Sequence, residues 1–133
     1  MDIIKIGLLG LGNVGSGVIN ILHENINKIR EYTGADIVVK KVLVRDINKP
    51  RDIIFDEQML TTNAEDILKD PEIDIVVELI GGIEPAFSYM RQAMENGKHV
   101  VTANKAVIAT YCKELFEIAD SNNVEIRFNT IVK

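Results

Sequence analysis

Gly10-Leu11-Gly12-Asn13-Val14-Gly15 follows a short apolar run and precedes a stretch of helical periodicity. Glycine at the first, third and sixth positions of such a turn serves three ends. It allows a tight reversal, a close approach of backbone to a pyrophosphate, and close packing of helix on strand. A helix starting near Asn13 would offer unpaired N–H groups and the positive end of its dipole to phosphates. The pattern points to a dinucleotide cradled by Gly10, Gly12 and Gly15, with a purely structural turn as the alternative. The end of the second apolar run chooses between dinucleotides, because an acidic side chain there accepts the ribose 2′-hydroxyl of NAD and an arginine accommodates the 2′-phosphate of NADP. This chain carries both as Arg45-Asp46, with Lys49 and Arg51 following. Asp46 lies 31 residues after Gly15, beyond the usual spacing of about 20, which a long first helix accounts for. The basic cluster favours NADP and leaves NAD open; an Arg45–Asp46 pair with solvated neighbours is the plainer alternative.

Two further turns fall where ligands of open α/β sheets sit, beyond the carboxyl ends of strands. Gly81-Gly82 would let a ribose or nicotinamide lie against backbone, or simply end a strand. In Thr102-Ala103-Asn104-Lys105, the lysine could hold a substrate oxygen or relay a proton; a solvated lysine opening a helix is the plainer alternative. Other reactive residues form no constellation. His23 lies mid-helix, His99 opens a strand, neither belongs to a metal-ligand set, and Cys112 has no partner for nucleophilic catalysis. Met90 and Met94 read as the core stripe of a helix, and Glu78 stands out only by its place at a strand's end.

The elements that must position these turns follow from apolar periodicity. Residues 3–9, 37–44, 73–80, 99–102 and 124–128 are short, β-branched runs and predict strands. Helical spacing covers 14–30, a short helix opens at 63–66 before Pro71, and longer helices run from Pro85 to a cap at Gly97 and from about 105 to 122. Residues 46–61 read as a connector. Continuous apolar strands interleaved with helices predict a parallel sheet covered on both faces, a Rossmann-type doubly wound α/β fold.

A chain of 133 residues with 47% hydrophobic content is expected to form one ordinary domain, not a disordered tail. Fifteen basic and 20 acidic side chains give a net charge of −5, unsuited to general nucleic-acid binding. The charge is uneven: residues 1–50 carry seven basic and five acidic groups, the rest eight and fifteen. A mildly positive first third suits a small anionic ligand. One cysteine suits a reducing cytosol. Neither a membrane span nor a signal peptide is expected.

With these features together, the chain resembles the N-terminal domain of homoserine dehydrogenases over residues 3–128. Four stretches carry the likeness: IGLLGLGNVGSGV at 6–18, Val44-Arg45-Asp46, IVVELIGGIEPA at 75–86, and GKHVVTANKA at 97–106. The first is common to many dinucleotide enzymes; the last two are far more specific. The resemblance implies reduction of L-aspartate 4-semialdehyde to L-homoserine with NADPH or NADH, on the route to threonine and methionine. It implies that Asn13 and Val14 contact the pyrophosphate and that Arg45 meets the 2′-phosphate. It further implies that the turn from Thr102 to Lys105 faces the nicotinamide, with Lys105 catalytic, in a cytoplasmic enzyme that is a homodimer when complete. Such enzymes continue into a second domain with substrate-binding carboxylates, another lysine and dimer contacts. This chain is expected to lack that domain, its tail after Phe128 departing from the family pattern, and to bind cofactor without turnover. The competing readings are a non-catalytic nucleotide sensor and the cofactor domain of another amino-acid or semialdehyde dehydrogenase.

Overall fold

The computed structural model describes residues 3–10, 34, 36–46 and 57–128. Six parallel strands form one sheet in the order β3-β2-β1-β4-β5-β6. They are β1 (Ile3–Leu9), β2 (Asp36–Leu43), β3 (Leu60–Thr61), β4 (Ile75–Glu78), β5 (His99–Thr102) and β6 (Ile126–Phe128). The described helices are α1 (Glu65–Leu68), α2 (Ala86–Glu95) and α3 (Lys105–Ser121). This strand order is that of the doubly wound dinucleotide folds, whose switch point lies between β1 and β4. The expected helix over 14–30 lies outside the described residues, as do Gly12, Asn13, Val14 and Gly15 of the glycine turn.

Alternation along the strands divides the core. Leu9, Val76, Val100 and Ile126 pack with Ile67 and Leu68 of α1, with Met90, Ala93 and Met94 of α2, and with Val107, Leu115 and Ala119 of α3. Met90 and Met94 are fully buried, as their spacing predicts. The opposite face gathers Ile6, Leu8, Ile37, Val42, Val44 and Val77.

The connector expected over 46–61 contains a sixth strand: β3 pairs with β2 through Val42–Leu60 and Leu43–Thr61. Two residues are too few to show any period, so only the pairing reveals it. Strands β1 and β5 coincide with their predicted runs and β2 is offset by one residue, while β4 occupies only 75–78 of the predicted 73–80 and β6 only 126–128 of 124–128. Helix ends follow local chemistry. Pro85 is the N-cap of α2 and not its first helical residue, and the Glu84–Pro85 peptide is cis. Gly97 ends α2 as expected at φ +81°, with Gly97 N–H donating to Met94 O at 3.0 Å and Lys98 N–H to Ala93 O at 3.0 Å. These are the paired bonds of a Schellman cap. Helix α3 closes the same way with Asn123, φ 55°, in the left-handed position. Its interior departs from helical geometry at Tyr111, whose ring stacks on Phe87 of α2 with centroids 4.1 Å apart.

Candidate cofactor and active site

Parallel register aligns Leu43, Leu9, Glu78, Thr102 and Phe128 in one row across the carboxyl edge. Gly10 follows Leu9 at the switch point. Its N–H donates to Leu43 O at 3.0 Å, and Leu79 N–H donates to Leu9 O at 2.9 Å. Gly10 has φ +93°, and a Cβ there would lie 3.1 Å from Cγ1 of Ile80 and 3.4 Å from its Cα. Both the left-handed backbone and the adjoining Ile80 therefore demand glycine.

Arg45 stands two residues beyond Leu43, the residue whose carbonyl receives the Gly10 N–H. Arg45 and Asp46 are both exposed, and Arg45 makes no ion pair among the described residues. The pairing of β1 with β2 thus carries an exposed guanidinium to the side of the glycine turn. Lys49 and Arg51, the other members of the basic cluster, lie outside the described residues.

On the other side of the switch point, the 80–82 turn presents Gly81 at φ +79° and Gly82 at φ +71°, with nothing within 4 Å of either would-be Cβ. The turn is held from within. Glu78, 1% exposed, accepts Ile80 N–H at 2.8 Å and Gly81 N–H at 2.9 Å on Oε2. Its Oε1 accepts the Thr102 hydroxyl at 2.7 Å. Burying a carboxylate is costly unless its oxygens are hydrogen-bonded, and these are.

Thr102 Oγ1 also accepts Asn104 N–H at 3.0 Å. The hydroxyl is therefore committed inward, and at 1% residue exposure Thr102 presents almost no surface to a ligand. Asn104 caps α3, its Oδ1 accepting Val107 N–H at 3.2 Å, while its Nδ2 donates to Gly82 O at 2.6 Å. Lys105 is the first residue of α3 and is exposed. A cation at the positive end of a helix dipole is locally unfavourable, and Lys105 has no carboxylate partner among the described residues. Local rules broken without compensation concentrate at functional sites. Sequence reasoning located Lys105 but missed Glu78 and Asn104, whose roles depend on bonds to backbone and to residues more than twenty positions away.

The structure therefore gathers Gly10, Arg45, Gly81, Thr102 and Lys105 at one edge. Among the described residues no group of three or more His, Cys, Asp or Glu could hold a metal ion. No described helix is long and apolar enough to cross a membrane.

Fold order and switch-point turn together define a dinucleotide-binding α/β domain. Residues 10–129 match the family described as "Homoserine dehydrogenase, NAD binding domain", and the chain belongs to that family. It is 42% identical over 132 residues to homoserine dehydrogenase of Bacillus subtilis, covering 99% of this chain and 30% of that protein. It is 48% identical over 129 residues to that of Synechocystis, covering 97% and 29%. The crystal structure of S. aureus homoserine dehydrogenase at pH 8.5 superposes with a TM-score of 0.86 at 44% identity, over 97% of this chain and 32% of that one. The chain thus spans about three tenths of the length of these relatives, over their NAD-binding part.

Proposed function

We propose that this chain binds NADP(H) in preference to NAD(H) and is the cofactor-binding part of an enzyme that interconverts L-aspartate 4-semialdehyde and L-homoserine. The carrying observation is the exposed Arg45 brought beside Gly10 by the β1–β2 pairing, where the 2′-phosphate of NADP lies in folds of this type. Gly10 supports the same reading, since its positive φ and its close packing on Ile80 suit the first glycine of a dinucleotide turn, which makes the tight reversal at the switch point. Gly12, Asn13, Val14 and Gly15 complete the cradle in this reading.

The bound cofactor supplies or accepts a hydride. The chain's own residues orient it and manage the proton. The open outer side of Gly81 lets the nicotinamide end lie near backbone, and the Thr102–Lys105 turn borders it. Lys105 Nζ donates a hydrogen bond to the substrate oxygen and passes a proton between that oxygen and solvent. Hydride transfer needs substrate held at near-attack distance. The reading assigns that task, and the contacts of a homodimer, to a second domain of a cytoplasmic enzyme, consistent with relatives about three times as long. This chain by itself binds cofactor without turnover.

Parallel calorimetric titrations with NADPH and NADH test the proposal. NADPH binds the tighter, and Arg45→Ala weakens NADPH about tenfold while leaving NADH within about twofold, as expected for loss of a charge-assisted phosphate contact. Equal loss for both cofactors would overturn the assignment of Arg45 to the 2′-phosphate. No binding of either up to millimolar concentration would overturn the reading for this chain.

A further inference from the structure

We propose that Glu78 is a positioning residue of the cofactor site, locking the 80–82 turn to the start of α3 and so fixing where Lys105 stands. The inference rests on the reading of the carboxyl edge as that site.

The contacts close a ring. From Glu78 Oε2 they run to the N–H groups of Ile80 and Gly81, along the chain to Gly82 O, and across to Asn104 Nδ2. From Asn104 N–H they pass to Thr102 Oγ1 and back to Glu78 Oε1. Two consecutive glycines at positive φ give this turn little intrinsic conformational constraint. The Glu78 carboxylate pins it from the sheet side and leaves its outer side clear.

Neighbouring strands show what the position would otherwise hold. Leu9, paired with Glu78 on β1, is fully buried and apolar, as parallel sheets favour. A leucine at 78 would satisfy the core and leave two N–H groups and the Thr102 hydroxyl without their acceptor. The same ring orders Asn104, the N-cap of α3, and Lys105 is the next residue. Glu78 therefore acts on Lys105 through Thr102 and Asn104, without touching a ligand itself.

The test compares the full chain with Glu78→Gln, Thr102→Val, Thr102→Ser and Lys98→Met by NADPH calorimetry and amide hydrogen exchange. Glu78→Gln and Thr102→Val each weaken NADPH about tenfold by unpairing buried groups, while Thr102→Ser, which keeps the hydroxyl, stays within about twofold of wild type. The Glu78→Gln/Thr102→Val double variant is little worse than either single one, as for residues of one network. Faster exchange in Glu78→Gln appears at Ile80 and Gly81 and crosses to Asn104 and Val107. Lys98→Met removes a buried polar group at the other edge of the sheet, so it lowers stability and leaves NADPH affinity unchanged.

Unchanged NADPH affinity in Glu78→Gln, or an equal loss in Lys98→Met, would overturn the positioning role while leaving the cofactor reading intact. If Glu78→Gln does not fold, the Thr102→Val and Thr102→Ser pair decides: equal affinities overturn the proposal, and loss restricted to valine supports it. Absence of NADPH and NADH binding in wild type would instead bring down the cofactor reading, and this inference with it.

Discussion

The two edges of the sheet treat charge in opposite ways. At the amino edge, cations are met by acceptors. Lys40 Nζ lies 2.6 Å from both Asp70 Oδ2 and Glu72 Oε2, and Lys5 Nζ lies 3.3 Å from Glu72 Oε1. Lys98, 3% exposed, donates to the carbonyls of Asp70 and Ile73, and Lys5 N–H donates to Asp74 at 3.0 Å. At the carboxyl edge the buried anion, Glu78, is satisfied inward, closed on backbone and Thr102, while Asp46 lies exposed beside Arg45. The cations Arg45 and Lys105 are exposed there without carboxylate partners among the described residues. One edge pairs its cations with acceptors, and the other satisfies its buried carboxylate inward and leaves Arg45 and Lys105 exposed.

Substitutions at the two edges should therefore separate stability from binding. The largest effect belongs to Gly10→Ala. A side chain at φ +93° in contact with Ile80 strains the turn, and NADPH affinity should fall about a hundredfold, since relieving the strain displaces the backbone of the turn. Titration of the folded variant checks this; affinity near wild type would mean the turn does not approach the ligand.

Lys98→Met is the counterpart at the amino edge. It takes the lysine donor from Ile73 O and from Asp70 O, the latter keeping the Ile73 N–H at 3.2 Å, and should cost about 2 kcal/mol of stability in denaturant unfolding, the usual penalty for an orphaned buried group. Burial already lowers the Lys98 pKa from its ordinary value, so part of the loss is offset by removing a poorly solvated charge.

A smaller effect appears on acidification. For Asp70, burial pushes the carboxyl up, but hydrogen bonds from Lys40 and from the Glu72 backbone, with the charges of Lys40 and Lys98, outweigh it and leave the pKa below 3.8. The Lys40 hydrogen bond likewise holds Glu72 below 4.5. Depressed carboxylates stabilise the fold above their unfolded pKa values, and that contribution is lost as pH falls through the folded ones. Wild type should lose stability on acidification below about pH 4, and Lys40→Met should lose less over the same range. Identical acid limbs in thermal unfolding would show that the Lys40 pairs contribute nothing.

Each edge holds residues that were legible in the sequence and residues that were not. Gly10, the Gly97 cap and the methionine stripe of α2 follow local rules of turn geometry and periodicity, and the structure reproduces them. Lys105 and Arg45 were placed by the strand ends on which they sit. Strand β3 escaped because it is two residues long and exists by pairing with β2. Glu78 looked unremarkable in sequence because its partners are backbone N–H groups and a hydroxyl 24 positions away. Thr102 was expected to face the nicotinamide, but its side chain turns to Glu78. Lys98 gave no signal, since nothing local tells a buried lysine from a solvated one.

The division between the edges is tested most directly by following backbone amide resonances of the isotope-labelled chain as NADPH is added. Shifts concentrated at Gly10, Arg45, Gly81 and Asn104, with Lys5, Lys40, Asp70 and Lys98 unmoved, are the expected result. Shifts centred on the amino-edge residues, with the carboxyl edge silent, would contradict it.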